Sequence, residues 1–258
     1  MRGVHVNMKI LRLSASVNRR SMVAHKGDRG DPAMPQPAYP FKLYADPRSG
    51  NCFKVWLMLH RLEMPFQWIS VDILNRETRT PEFLAMNPQG RVPVLQLDSG
   101  ESLYESNAIL CYLAHGSPDL LPHEPLQRAR VLQWLFFEQN NHEPHLAGAH
   151  FMTHYLGRAR DEPDIAERIK RGYQALAVME QRLATQAYLA AEALTLADIA
   201  LYPYTRTAPE AGFDLGRFPG VRAWLARLES QPRWLTLAAL TASHGCLLNW
   251  SKRILHGL

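Results

Sequence analysis

The first half of the chain alternates between short and long hydrophobic periods. Short apolar runs at 41–45, 66–71 and 91–97 are typical of β-strands, and the run at 51–62 has the 3.6-residue period of an amphipathic helix. Thr80 is followed by a proline, the order expected where a helix begins. The pattern predicts strands and helices in alternation.

A hairpin and a further helix complete this half. The turn-forming residues 98–100 separate the strand at 91–97 from a short strand at 102–104, and residues 106–114 have helical periodicity. The predicted order is β-α-β-α-β-β-α. Such an order suits a small mixed sheet packed between helices.

The second half has almost only helical periodicity. A proline-rich linker at 116–125 separates it from a first domain at 41–115, and an all-helical domain is expected at 126–243, with a tail at 244–258. Its helices are predicted at 126–141, 146–158, 163–183, 196–202 with continuation toward 206, 221–228 and 234–240.

Residues 1–40 differ from the rest in charge. They contain seven Lys or Arg residues and two Asp, so the formal net charge of +5 of the whole chain arises here and the remainder is balanced. Because few of their apolar positions are periodic, residues 1–40 are expected to form a disordered leader. Its composition is compatible with an organelle transit peptide. The same features are explained if the start codon has been placed too early and translation begins at Met34.

Composition excludes several classes of protein. Because the folded part carries no net charge, we expect no nucleic-acid partner. No apolar run approaches the roughly 18 residues of a membrane span, so no membrane association is expected. The three cysteines, Cys52, Cys111 and Cys246, are scattered, which favours a reducing, cytoplasmic setting over a disulfide framework.

The segment 49–52, Ser-Gly-Asn-Cys, follows the first strand and begins the first helix. It has the spacing of a redox C-x-x-C turn whose first cysteine is replaced by Ser49. Without that cysteine the chain has no internal dithiol here, so self-contained thiol–disulfide exchange is excluded.

Two further pairs are candidates for ligand binding. Pro93 lies where a strand begins, and a cis Val92-Pro93 bond would turn the backbone groups of Val92 toward a ligand; an ordinary trans proline is the alternative. Glu105 and Ser106 lie where a helix begins. Glu105 can accept hydrogen bonds from an ammonium group, and Ser106 at the helix N-terminus can donate to a carboxylate. A capping serine beside a solvated glutamate is the alternative.

Four segments in this order resemble the glutathione S-transferase family. They are 49–52, 87–94 (Asn-Pro-Gln-Gly-Arg-Val-Pro-Val), 103–109 (Leu-Tyr-Glu-Ser-Asn-Ala-Ile) and 194–200 (Leu-Thr-Leu-Ala-Asp-Ile-Ala). The resemblance covers about residues 41–243. It implies an α/β thioredoxin-like N-terminal domain that binds glutathione, followed by an all-α C-terminal helical domain that supplies most of the electrophile pocket. It also implies a homodimer.

The resemblance also implies roles for individual residues. Val92 would pair its backbone with the cysteinyl part of glutathione beside cis Pro93. Glu105 and Ser106 would hold the γ-glutamyl end, while Gln89 and Arg91 would bind the glycine carboxylate or the nearby backbone.

Ser49 matches the hydroxyl position of the serine-type classes, and Asn51 matches the asparagine of some bacterial relatives. Lowering the pKa of a thiol from about 8.5 by two units needs about 2.7 kcal/mol. A hydrogen bond to a charged acceptor supplies about 1.5–3 kcal/mol and a helix N-terminus about 0.3–1 kcal/mol. Either residue therefore suffices as the catalytic donor, while an ordinary turn serine remains the alternative.

Cys52 is expected to pack in the core, or else to form a mixed disulfide with glutathione.

Histidines cluster between residues 142 and 154. His150 and His154 have the i, i+4 spacing of a helical metal chelate, and the sequence His-Glu-Pro-His at 142–145 is one residue short of the zinc protease motif. Pro144 is expected to interrupt the helix that would align the ligands. We therefore expect no metal, and assign His150, His154 and Tyr155 to the wall of the second-substrate pocket.

Thr195 and Asp198 have the spacing of a capping box at a helix start. We interpret them as structural residues of the helical domain.

The function expected from these features is conjugation of glutathione, held as a thiolate, to a small electrophile, with glutathione as co-substrate and no cofactor. A glutathione-dependent disulfide reductase is the enzymatic alternative. A non-catalytic glutathione-binding or dimerising module is the alternative from another class.

Overall fold

The computed structural model describes residues 40–244. The predicted leader at 1–40 and the tail at 244–258 lie almost entirely outside the described residues. Within the described part, the first half contains strands β1 (Phe41–Ala45), β2 (Gln67–Ser70), β3 (Val94–Leu97) and β4 (Ser102–Tyr104) and helices α1 (Gly50–Arg61), α2 (Pro81–Met86) and α3 (Ser106–Leu113). The predicted order of elements is confirmed.

The four strands form one mixed sheet in the order β2-β1-β3-β4. Strand β1 is parallel to β2 and antiparallel to β3, which forms an antiparallel pair with β4. Leu43 at the centre of β1 lies opposite both Trp68 and Leu95, so the middle of the sheet is apolar. The strand predicted at 91–97 begins only at Val94, because Pro93 before it lacks a backbone N–H.

The second half is helical. It contains α4 (Pro125–Phe137), α5 (Glu143–His150), α6 (Pro163–Leu183), α7 (Leu196–Thr207), α8 (Pro219–Glu229) and α9 (Leu237–His244). Two π-helical segments, Glu138–His142 and Phe151–Tyr155, follow α4 and α5 directly. No helix of residues 40–244 combines the length and apolarity needed to cross a membrane.

Three helix predictions need correction. Pro144 does not interrupt the helix: it lies in the first turn of α5, directly after the π-helical segment Glu138–His142, and the chain continues as a helix through it. The helix predicted at 146–158 begins at Glu143 and changes to π-helix at Phe151. The last helix begins at Leu237 rather than at Trp234.

One hydrophobic core joins the two halves. Helix α1 is buried from Cys52 to Leu59, because it packs against the sheet core, α3 and α7. Its Phe53 ring lies 5.7 Å from the ring of Tyr202 on α7, which in turn contacts Trp234 at 4.9 Å. The start of α1 is thereby held against the helical half.

The predicted capping box at α7 is confirmed. Asp198 accepts from the backbone N–H of Thr195 at 2.9 Å, and the Thr195 hydroxyl caps the first turn in return. The Asp198 carboxylate, fully buried, also accepts from the Leu189 N–H and the Trp224 indole. It therefore joins α7, α8 and the segment before α7.

Candidate functional site

The turn between β1 and α1 is fixed by a buried carboxylate. Asp46 accepts from the backbone N–H of Arg48 at 2.9 Å and from its guanidinium at 2.9 and 2.6 Å, and it also accepts from the Ile73 N–H at 3.1 Å. The same guanidinium donates to Asp72 at 2.6 Å. Burial alone would lower the pKa of Arg48, but the two carboxylates outweigh burial and raise it, so the guanidinium stays charged.

Ser49 caps α1. Its backbone is extended and its hydroxyl oxygen accepts from the Cys52 N–H at 3.3 Å. A hydroxyl keeps one proton to donate while its oxygen accepts, and the Ser49 side chain is also hydrogen-bonded to the Cys52 thiol. Glycine is required at the next position, 50, because a Cβ there would lie 2.7 Å from the Tyr204 ring, closer than any ordinary contact.

Asn51 lies at the junction of three segments. Its amide oxygen accepts from the Ser106 hydroxyl at 3.2 Å, and its amide NH₂ donates to Glu143 at 3.3 Å. Its backbone N–H donates to the Tyr204 hydroxyl at 3.2 Å. Two of the sequence-predicted residues, Asn51 and Ser106, are therefore in direct contact.

Two groups in this junction have shifted pKa values. Burial raises the pKa of Glu143, although Lys54 opposes the shift. Burial also raises the pKa of Tyr204 well above its ordinary value, and nearby acidic groups add to this, so its phenol is neutral. Asn51 is thus positioned by neighbours from the helical half.

The loop before β3 is ordered by its own side chains. Asn87 donates to the Arg91 carbonyl at 2.8 Å and accepts from the Gln89 N–H at 3.0 Å. The Val92-Pro93 bond is cis, so the trans alternative was wrong. The Val92 side chain is half-buried, while Arg91 is exposed.

The start of α3 lies beside this loop. The exposed Glu105, in a left-handed backbone conformation with φ of 68°, accepts from the Gln89 amide at 3.0 Å. Ser106 is the buried first residue of α3. The structure therefore brings Gln89 to Glu105 and Ser106 to Asn51, which joins three of the predicted motifs through side-chain hydrogen bonds.

Cys52 is a core residue. Its side chain is fully buried, and burial raises the pKa of its thiol to about 12. A thiol of this kind is protonated and inaccessible at neutral pH. The packing interpretation fits this environment, and a mixed disulfide at Cys52 does not.

A cavity of about 240 Å³ opens beside the Ser49 turn. From the turn it is lined by Pro47, Arg48 and Gly50. From the helical half it is lined by all three predicted wall residues, His150, His154 and Tyr155, and by Tyr204 and Glu210. The Tyr155 hydroxyl lies 3.4 Å from the Arg48 carbonyl, and burial raises its pKa to about 12. The three wall residues therefore lie together beside the start of α1.

The other histidines do not join this group. The buried His142 bonds to the Thr205 hydroxyl at 2.8 Å. His145 lies at a separate cavity of about 400 Å³ between the α4–π segment and α6, which is lined by no residue of the four segments that resemble the glutathione S-transferase family. The larger cavity is therefore not the candidate site.

Sequence reasoning missed Asp46, Arg48, Glu143 and Tyr204. Glu143 was visible only as part of a weak metal motif, and Tyr204 lies 153 positions from its partner Asn51. Neither has a local sequence signal, because their roles depend on how α5 and α7 pack on α1.

Comparison with known proteins identifies the family. The profile of the glutathione S-transferase N-terminal domain matches residues 48–115, and that of the C-terminal domain matches residues 142–232. The disulfide-bond oxidoreductase YfcG of Escherichia coli (strain K12) is 34% identical over 197 residues, which cover 74% of this chain and 90% of YfcG.

Solved structures agree with these matches. The crystal structure of a glutathione S-transferase from Pseudomonas fluorescens Pf-5 has a TM-score of 0.74 and 50% identity, covering 77% of this chain and 98% of its own. A glutathione transferase from Pseudomonas putida, solved with one glutathione disulfide bound per subunit, has a TM-score of 0.69 and 28% identity, covering 79% and 93%. The small mixed sheet followed by a helical domain is the fold of these proteins, and the chain belongs to the glutathione S-transferase family.

Proposed function

We propose that this protein binds glutathione beside the start of α1, holds its sulfur as a thiolate and transfers it to an electrophile in the 240 Å³ cavity. One observation carries the proposal. The Ser49 hydroxyl lies at the N-terminus of α1, between Arg48 and Gly50 of the cavity wall, and its one proton can turn from the weakly accepting Cys52 thiol to a bound thiolate.

The remainder of glutathione follows the edge formed by the loop before β3 and the start of α3. The backbone of Val92 beside Pro93 pairs with the cysteinyl unit. Glu105 accepts the γ-glutamyl ammonium, and the backbone N–H of Ser106, at the first turn of α3, donates to the adjacent carboxylate, because the Ser106 hydroxyl already donates to Asn51. Gln89 and Arg91 bind the glycine carboxylate or the nearby backbone.

Thiolate stabilisation here needs no metal or general base. A hydrogen bond from Ser49 to a charged sulfur contributes about 1.5–3 kcal/mol, and the helix N-terminus adds about 0.3–1 kcal/mol. Together these cover the roughly 2.7 kcal/mol needed to lower a thiol pKa by two units. In the conjugation step the thiolate forms a C–S bond and the leaving group departs with its electron pair.

A second candidate function is disulfide reduction by glutathione. It is favoured by the name of the 34% identical YfcG and by the glutathione disulfide bound to the Pseudomonas putida protein. Since Cys52 is buried with a raised pKa, both electrons would come from two glutathione molecules. The first thiolate would form a mixed disulfide and release one substrate thiol, and the second would release the other thiol as glutathione disulfide forms.

The first experiment separates binding from the two reactions. The protein is expected to be retained on immobilised glutathione under reducing conditions, and failure there overturns the proposal. Turnover of a chloronitrobenzene supports transfer, and turnover of a small mixed disulfide supports reduction. Binding without either activity points instead to the non-catalytic module.

The second experiment tests the donor. Ser49→Ala is expected to raise the pKa of bound glutathione by about 1–2 units, measured by the ultraviolet absorbance of the thiolate. Ser49→Thr keeps the hydroxyl and is the matched control. An unchanged titration in Ser49→Ala, with a shift in Asn51→Ala, would transfer the role to Asn51.

We further propose a cytoplasmic homodimer. Exposed apolar side chains on β4, α3 and α4, namely Tyr104, Tyr112, Leu126 and Phe136, support a second copy of the chain as the partner. Light scattering should give twice the chain mass for the wild type and a lower mass for Phe136→Glu. A monomeric wild type would contradict this assembly.

A further inference from the structure

Three metal-ligating side chains meet in the wall of the 240 Å³ cavity. His150 ends α5, His154 lies in the π-helical segment that follows, and Glu210 lies in the short turn after α7. The His150 Nε2 is 2.8 Å from the Glu210 Oε2, and the His154 Nδ1 is 3.9 Å from the same oxygen. One ligand atom from each residue lies within 4.8 Å of the others. Among residues 40–244 this is the one such group of histidine, cysteine or acidic side chains.

The backbone explains why the two histidines are adjacent. A π-helical turn contains more residues than an α-helical turn, so the fourth residue along lies almost above the first. The two imidazole rings are stacked, with centroids 4.9 Å apart and planes inclined by 17°. Their ring nitrogens therefore approach Glu210 from the same side.

The distances suit a small divalent ion. In a tetrahedral zinc site with ligands at 2.0–2.1 Å, neighbouring ligand atoms are about 3.3 Å apart. The separations of 2.8 and 3.9 Å lie on either side of that value, and the third pair of ligand atoms lies within 4.8 Å. Two imidazoles and one carboxylate leave a fourth position open toward the cavity.

Burial and charge around the group are also compatible with an ion. The His150 side chain is buried and bonded to Glu210, while the side chains of His154 and Glu210 are 47% and 49% exposed. The cationic side chain of the cavity, Arg48, is paired with two carboxylates, Asp46 and Asp72. The ligands therefore face no uncompensated positive charge from the cavity wall.

We propose that His150, His154 and Glu210 bind one divalent transition-metal ion of the zinc type. Imidazole ligands favour such ions over Mg²⁺ and Ca²⁺, which prefer all-oxygen sites. The proposal replaces our expectation from sequence that this region holds no metal, and it does not depend on glutathione chemistry.

Metal titration of the full chain tests the site. Protein without an affinity tag is treated with a chelator, freed of it, and titrated with Co²⁺ in the absence of glutathione, which itself binds metals. We expect about one equivalent per chain, with the visible absorption of low-coordinate Co²⁺, and displacement by Zn²⁺ but not by Mg²⁺.

Matched variants assign the ligands. His154→Gln and Glu210→Gln, both at half-exposed positions, are each expected to weaken Co²⁺ binding by at least about tenfold. His123→Gln, at an exposed position in the linker, should bind as the wild type does. Circular dichroism checks that each variant is folded. The absence of saturable binding, or equal affinity in the wild type and both ligand variants, would overturn the proposal.

Discussion

Asn51 shows how one side chain links the motifs of the site. Its amide accepts from Ser106 and donates to Glu143, so both ends of the amide are held. A flipped amide would turn its oxygen toward the Glu143 carboxylate, which accepts and does not donate, so the bond to Glu143 fixes the orientation of the amide. Glu143 is therefore a positioning residue in the proposed glutathione site.

Replacing Glu143 should weaken glutathione binding through Asn51. Glu143→Ala removes one hydrogen bond of about 1 kcal/mol, so we expect about fivefold weaker binding by calorimetry. Glu143→Gln keeps an acceptor oxygen and should bind nearly as the wild type does. Equal affinities in the Ala variant and the wild type would show that Asn51 needs no such support.

His142 makes stability depend on pH. Burial, with help from Lys54 and His145, lowers its pKa to about 3. The unfolded chain binds a proton near the ordinary value of 6.5 while the folded chain does not, so the contribution is complete above about pH 6.5 and is lost as pH falls toward 3.

The expected slope is up to about 1.4 kcal/mol per pH unit across that window. His142→Gln should remove this slope, as measured by urea unfolding at a series of pH values. The exposed His123→Gln serves as control and should keep the wild-type slope. Parallel curves for the wild type and His142→Gln would contradict the assignment.

At the scale of elements, helix α7 depends on Asp198. Its carboxylate accepts hydrogen bonds from three residues on the segments that α7 holds together: Leu189, Thr195 and Trp224. Asp214 offers a comparison, since it is an exposed aspartate that accepts from one backbone N–H, that of Gly216.

Asp198→Ala should therefore cost much more stability than Asp214→Ala. Leaving several buried donors unsatisfied costs about 3 kcal/mol or more, whereas losing an exposed cap costs about 1 kcal/mol. Urea unfolding of the two variants measures the difference. Similar losses would show that the buried carboxylate is not needed to join α7 and α8.

At the scale of the molecule, a buried ion pair joins the two halves. Lys54 of α1 donates to Glu138 of the π-helical segment at 2.7 Å, and both side chains have no exposed surface. Glu138 also accepts from Asn107 of α3 and from Gln139. The sheet half and the helical half therefore share one polar network inside the core.

Breaking this pair should destabilise the whole protein. Lys54→Met leaves a buried carboxylate without its cation and is expected to cost about 3–5 kcal/mol. Lys54→Met with Glu138→Gln should recover much of the loss, because the glutamine is neutral and still accepts a hydrogen bond. Lys170→Met, at a lysine that is 70% exposed, is the control. An equal effect of both lysine changes in urea unfolding would contradict the prediction.

The sequence by itself determined the elements and their order. Hydrophobic periods, the proline after Thr80 and the capping box at Thr195 are local signals, and local propensity and capping act within a few residues. The same is true of Ser49 at the start of α1. The four segments that resemble the glutathione S-transferase family are also short local stretches, and their order along the chain is read from the sequence alone.

Only the tertiary structure decided what surrounds those residues. The contact of Asn51 with Glu143, the pairing of Lys54 with Glu138 and the approach of Glu210 to His150 join positions 60–92 residues apart. The i, i+4 spacing already placed His154 near His150, whereas the approach of Glu210 to both histidines required the fold. Such contacts depend on how helices pack, and packing is set by the whole core rather than by any one stretch of sequence.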